Sequence, residues 1–184
     1  MGAQPPVCDF GALAPDFDLP DTKGTRHSRD SLMGDKGLVL MFICNHCPYV
    51  IAIADKLARD GKALQDLGFG VAAICANDAE TYPEDSFANM GKFAKKYGFS
   101  FPYWQDESQE VAMAYGAVCT PDLFGYNAAG ELQFRGRLDA SGRNPSPADE
   151  PRELFDAMAL VAKTGRGPSE QTPSIGCSIK WKDG

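Results

Sequence analysis

Leu38-Val39-Leu40-Met41-Phe42-Ile43-Cys44-Asn45-His46-Cys47-Pro48 sets a continuous apolar run against a Cys-x-x-Cys motif closed by proline. An apolar run of this length suits a strand covered on both faces. Beyond it, Val50, Ile53, Ala54, Leu57 and Leu64 recur at helical spacing between Pro48 and Leu67, and Gly68 supplies a stop. A strand feeding straight into a helix places Cys44 at the helix N-terminus, where free N–H groups and the positive end of the macrodipole favour a thiolate. Cys47 then falls on the same face one turn later, within reach of a mixed disulfide formed at Cys44. The spacing therefore predicts a redox pair with Cys44 as nucleophile and Cys47 as resolving thiol. Two plainer readings compete: half of a structural zinc site, or two inert core thiols. Zinc wants a second ligand pair, and Cys8, Cys75, Cys119, Cys177, His27 and His46 offer none at the required spacing. An inert pair would more naturally sit inside one element than across the junction of two.

Working outward, Phe69 to Ala76 is a second apolar run and completes a βαβ unit, whose crossover is right-handed by rule. On the N-terminal side, a turn at Asp21 to Gly24 between short extended pieces predicts a hairpin. On the C-terminal side, Phe87, Met90, Ala94 and Tyr97 mark a helix face stopped by Gly98, and Phe101 to Trp104 reads as a short aromatic strand. Asp106 and Gln109 have the spacing of a capping box for a helix running to Tyr115. Leu123 to Tyr126 and Leu132 to Arg135 flank the turn Asn127-Ala-Ala-Gly130 as an antiparallel hairpin. After a polar loop over 139–150, Leu154, Phe155, Met158, Val161 and Ala162 face one way on a last helix that ends at Gly165. The order predicts an α/β fold, with a central mixed sheet flanked by helices and an N-terminal hairpin. One domain is expected over 1–184, with its core at about 14–165 and a tail over 166–184.

With 184 residues and 43% hydrophobic content, the chain is long enough to bury a sizeable core. A net charge of −7 without any Lys/Arg cluster argues against nucleic acid or an anionic membrane as partner. The first residues lack the basic and apolar regions of a secretory signal, and no apolar run reaches membrane-span length. The expectation is a cytoplasmic protein, in which its six cysteines serve mostly as thiols.

Several pieces together resemble the thioredoxin fold, and more closely its peroxiredoxin-like branch, the alkyl hydroperoxide reductase and thiol-specific antioxidant proteins. They are Ala14-Pro-Asp-Phe17 followed by Asp21 and Gly24, Cys44-Asn-His-Cys-Pro48, Tyr82-Pro-Glu-Asp-Ser86, Cys119-Thr-Pro121, Arg135-Gly-Arg-Leu-Asp139 and Gly176-Cys-Ser-Ile-Lys-Trp181. The resemblance covers most of the chain. It implies that Pro121 is cis and lies against the cysteine pair. Thr120 would then offer main-chain hydrogen bonds to an extended partner.

Typical peroxiredoxins place proline seven residues, and Thr or Ser three residues, before the reactive cysteine. Aligned on Cys47 those positions hold Leu40 and Cys44; aligned on Cys44 they hold Gly37 and Met41. No hydroxyl in the motif would orient a peroxide, and Arg135 and Arg137 on the hairpin read as solvated strand charges. The expected activity is therefore thiol-disulfide exchange with a protein or small-thiol partner, without a bound cofactor. Thiol-dependent peroxide reduction is the alternative.

The other candidates surround this pair. His46 precedes the second cysteine and would stabilise a thiolate at Cys44, raising the couple's potential. Asn45 and Pro48 complete the motif as tuning or partner-binding positions. Asp78, Glu80, Glu84 and Asp85 follow the second strand at the end of the sheet where the cysteines lie, and Glu84 is the favoured proton acceptor, with Asp139 behind it. Cys119 and Cys177 stand as possible third thiols, with Ile179 and Trp181 able to dock the tail, whereas Cys8 and Cys75 read as structural. Copper or zinc delivery through Cys44, Cys47 and His46 is a further reading, with His27 as its only remote ligand; no metal is expected.

Overall fold

The computed structural model describes residues 2–3, 9–144, 147 and 149–183. Cys8 lies outside them. The chain runs β1 (Asp18–Pro20), β2 (Arg26–Ser28), α1 (Arg29–Leu32), β3 (Gly37–Phe42), α2 (Pro48–Asp66) and β4 (Phe69–Cys75). There follow a 3-10 turn (Pro83–Asp85), α3 (Phe87–Tyr97), β5 (Tyr103–Gln105), α4 (Glu110–Tyr115), β6 (Cys119–Thr120), β7 (Asp122–Asn127), β8 (Leu132–Gly136), α5 (Glu153–Thr164) and β9 (Cys177–Ser178).

The central sheet is mixed. β3 pairs antiparallel with β7, β7 antiparallel with β8, and β4 parallel with β5. Lys36 N–H donates to the Gly68 carbonyl and Ile43 N–H to the Ile74 carbonyl, so β3 and β4 run side by side in the same direction. The hairpin of β1 and β2 turns on Asp21 and joins the outer edge through an Asp21–Trp104 bridge.

Alternation along the strands divides the core in two. Val39, Met41 and Ile43 of the β3 run join Val71, Ala73 and Cys75 of β4 beneath α2, α3 and α5. Leu38, Leu40 and Phe42, with Ala72 and Ile74, face α4 and the N-terminal Ala14, Phe17 and Leu19. Because both faces are covered, β3 is apolar at every position, which explains why its sequence shows no alternation. Among the described residues no helix is long and apolar enough to cross a membrane.

The structure departs from the sequence reading in four places that matter for the site. Helix α2 begins at Pro48 with Cys47 as its N-cap, so Cys44 stands a turn earlier, in the loop leaving β3. The Asp106/Gln109 capping box does not form. Helix α4 starts at Glu110, and Gln109 takes a left-handed backbone (φ 66°) that sends its side chain to the Ala76 and Lys180 carbonyls at 2.6 and 2.9 Å. Arg135 is not solvated: it is buried, pairs with Asp122 at 2.8 Å and donates to the Gly116 carbonyl, while Arg137 pairs with Glu153. Of the two tail anchors, Ile179 is buried and Trp181 remains 41% exposed.

Candidate active site

Cys44 and Cys47 come together at the end of the sheet, both without solvent exposure. The Thr120-Pro121 peptide is cis and lies beside them. The Thr120 hydroxyl is 3.4 Å from Cys44 Sγ, and the Thr120 carbonyl oxygen is 3.1 Å from Cys47 Sγ. A hydroxyl at the Cys44 sulfur, which the motif itself does not provide, is thus supplied by a residue 76 positions away.

A third sulfur completes the cluster. β9 pairs antiparallel with β6, with Cys177 opposite Thr120 and Ser178 opposite Cys119. This register brings Cys177 Sγ to 2.9 Å from Cys47 Sγ. The separation is well beyond the roughly 2.05 Å of an S–S bond, so the contact is a thiol hydrogen bond. Cys177 is half-buried, whereas Cys44, Cys47, Cys75 and Cys119 are fully buried. Cys119 lies against the Pro121 carbonyl oxygen, and Cys75, the last residue of β4, sits in the core.

The surroundings decide which sulfur ionises. Cys47 shares the Cys44 proton, receives a further hydrogen bond from the Cys177 thiol and lies against the first turn of α2, where the Val50 N–H points at it. These donors outweigh burial and hold the Cys47 thiol well below the ordinary value. The Thr120 carbonyl, which favours the protonated thiol, opposes them as a single acceptor. Cys44 moves the other way: its hydrogen bond to Cys47, its burial and the nearby Asp85 carboxylate all raise it. Burial and the contact with Cys47 push Cys177 up to about 11, burial pushes Cys75 up to about 12, and Cys119 is raised by burial as well. These surroundings favour a thiolate at Cys47, at the helix start, over one at Cys44.

Asp85 organises the loop between the two cysteines. Its carboxylate, fully buried, accepts from Asn45 N–H and from Asn77 Nδ2, both at 2.7 Å. His46 Nδ1 is 2.7 Å from the same carboxylate but lies outside hydrogen-bond alignment, and the ring stacks on Tyr82 at an interplanar angle of 3°. His46 thus faces Asp85 and Tyr82. Asn45 receives the Tyr103 hydroxyl at 3.0 Å and donates to the Glu84 carbonyl, while Glu84 itself is exposed; Asp85 takes the buried place expected of Glu84. The 3-10 turn decides between these neighbours, and nothing in the sequence ranks them. Asn77 and Tyr103 carried no sequence signal. Asp78 binds Thr81, Asp139 binds Lys56 at 2.6 Å, and Pro48 occupies the first position of α2.

Cys44, His46 and Asp85 hold their donor atoms within 4.8 Å of one another, a set of thiolate, imidazole and carboxylate that would suit zinc. The Asp85 oxygens are, however, already engaged by Asn45 and Asn77. His27 pairs with Asp21 at 3.0 Å and stacks on Trp104, away from this trio.

The model of the AhpC/TSA family matches residues 10–135. The thiol-disulfide oxidoreductase ResA of Geobacillus kaustophilus is 31% identical over 67% of this chain, a match spanning 66% of that relative's own length. An uncharacterized conserved protein from Geobacillus kaustophilus superposes with a TM-score of 0.94 at 39% identity, covering 100% of this chain and 98% of its own. The thioredoxin domain of a thiol-disulfide oxidoreductase from Bacteroides vulgatus has a TM-score of 0.64 at 15% identity, covering 85% and 99% of the two chains, and shares the thioredoxin-like fold.

Proposed function

The chain belongs to the AhpC/TSA family, and on that premise we propose that it is a thiol-disulfide oxidoreductase in which the Cys44–Cys47 dithiol exchanges with a disulfide in a protein or small-thiol partner. The observation that carries the reading is geometric: Cys44 and Cys47 lie together at the start of α2 beside the cis Thr120-Pro121 peptide, with donors around Cys47 that hold its thiol below the ordinary value. A thiolate with a neighbouring thiol is the chemical requirement for two-step exchange: Cys47 attacks a disulfide, and Cys44 displaces the mixed disulfide so formed. Stabilising the reduced thiolate raises the couple's potential, so this pair is less reducing than one with an ordinary thiol. The ResA relative is named for the same chemistry. We place the activity in the cytoplasm, a reading supported by the five described cysteines, all of them free thiols.

The test is equilibration of the reduced protein in glutathione buffers of graded potential, with peptide mapping of the product. A Cys44–Cys47 disulfide that appears and disappears reversibly supports the reading; a pair that never oxidises below the potential at which the protein unfolds overturns it.

Peroxide reduction is a second reading, favoured by the Thr120 hydroxyl 3.4 Å from Cys44 Sγ. Loss of thiols to hydrogen peroxide far faster than from a free cysteine at the same pH, mapped to Cys44 or Cys47, would establish it. Slow loss would leave disulfide exchange alone.

A further inference from the structure

A dithiol with no solvent exposure poses a problem of access. Cys44 and Cys47 have no solvent exposure, and the tail lies against Cys47, its β9 occupying the main-chain edge offered by Cys119 and Thr120. That edge is where an extended partner would pair. The tail takes it with a cysteine in the position opposite Thr120, and the sulfur of that cysteine touches Cys47. The tail is not loosely placed. Ile179 N–H donates to the Val118 carbonyl, Lys180 is held by Asp78 and Asn77, and Gln109 clasps the main chain of both Lys180 and Lys182. Cys177 alone among the three sulfurs is partly open, next to a cavity of about 240 Å³ lined by Gly2, Pro48, Tyr49, Arg143 and Gly176.

We propose that Cys177 is the third catalytic thiol and the port of the site: partner disulfides exchange at Cys177, which passes the oxidising bond to Cys47, from which Cys44 takes it. This rests on the disulfide-exchange reading above. In the first step Cys47, 2.9 Å away, draws off the Cys177 proton as the Cys177 sulfur attacks one sulfur of the partner disulfide, and the displaced partner sulfur then takes that proton, leaving Cys47 a thiolate again. In the second, the Cys47 thiolate, 2.9 Å away, attacks Cys177 Sγ and releases the other partner sulfur, which is protonated by solvent. In the third, Cys44 attacks Cys47 Sγ, the Cys47–Cys177 bond breaks, and the Cys44 proton passes to Cys177. The partner disulfide is reduced to two thiols, Cys44 and Cys47 are oxidised to one disulfide, and Cys177 is regenerated. Run backwards, an incoming thiolate attacks the Cys177 sulfur and expels Cys47, the better leaving group because its thiolate is stabilised in place.

Two measurements test the relay. In Cys44→Ser, treatment with oxidised glutathione is expected to yield a mapped Cys47–Cys177 disulfide; glutathione left attached at Cys47 with Cys177 free would overturn the proposal. In Cys177→Ser, the Cys44–Cys47 disulfide is expected still to form but to exchange with glutathione at least ten times more slowly than wild type. An unchanged rate with the disulfide intact would remove Cys177 from the mechanism while leaving the exchange reading standing. Failure of the wild-type protein to form any Cys44–Cys47 disulfide would overturn both.

Discussion

Asp85 accepts the main-chain N–H of Asn45 at 2.7 Å, binding the residue after Cys44 to a carboxylate forty positions away in the chain. The same carboxylate serves Asn77, so one buried group fixes both the cysteine loop and the end of β4. Asp85→Ala would leave two buried donors without an acceptor, at roughly 1–3 kcal/mol each. Urea unfolding of the reduced protein is expected to show a loss of about 3 kcal/mol, with Asp85→Asn losing less because it keeps one accepting oxygen. A midpoint unchanged by Asp85→Ala would rule out this anchoring role.

The ionisation of Cys47 has a direct pH signature. An acid whose pKa is lowered is charged above that lowered value, so the reduced protein should carry one thiolate at neutral pH, where an ordinary thiol is still protonated, and lose it only on acidification. Ultraviolet thiolate absorbance should follow this course in the wild type and vanish at pH 6 in Cys47→Ser. Absorbance that first rises near pH 9, the ordinary thiol value, would place the Cys47 proton elsewhere.

Arg135 and Asp122 form a buried pair at 2.8 Å under Phe124, beside β6. Removing only the arginine strands a carboxylate in the core, and losses of about 3–5 kcal/mol follow from breaking such pairs. Arg135→Ala should therefore unfold much earlier in denaturant, and Arg135→Met combined with Asp122→Leu should recover most of the loss. Equal stability of Arg135→Ala and wild type would show the pair to be energetically idle.

The tail can be loosened at Gly176. A Cβ there would overlap the Thr120 carbonyl oxygen, a rigid main-chain atom. Gly176→Ala is expected to cost the docked tail about 2 kcal/mol, roughly 30-fold in its population. Faster tryptic cleavage at Lys180 and faster alkylation of Cys47 would show the release. Cleavage and alkylation at wild-type rates would mean that β9 accommodates the methyl group without leaving its edge.

Much of this was legible in the sequence. The βαβ unit, the α3 and α5 faces, the β7–β8 hairpin and the meeting of Cys44 with Cys47 all follow from local periodicity and glycine stops, signals that tertiary structure here reinforces. What the sequence withheld depends on long-range placement. The helix reads from Pro48 in sequence and structure alike, but spacing alone cannot show that the donors favouring a thiolate converge on its N-cap, Cys47, as well as near Cys44 a turn earlier. Gln109 looked like a cap residue because spacing cannot show that a tail 70 positions later needs its amide. Arg135 looked solvated because its partner, Asp122, lies on the neighbouring strand. Glu84 and Asp85 are indistinguishable as letters, and only the 3-10 turn sends one inward.

The placement of Cys177 also changes how each oxidised form resists heat. A Cys44–Cys47 bond closes a loop of only a few residues, whereas Cys47 and Cys177 are 130 positions apart. By the chain-entropy relation, the short loop restrains the unfolded chain by about 2 kcal/mol and the long one by about 5 kcal/mol. The oxidised chain would then exist in two forms with the same atoms and different melting temperatures. Each passage of the bond from Cys177 to Cys44 would loosen a staple across most of the molecule, so calorimetry alone could report where the bond resides.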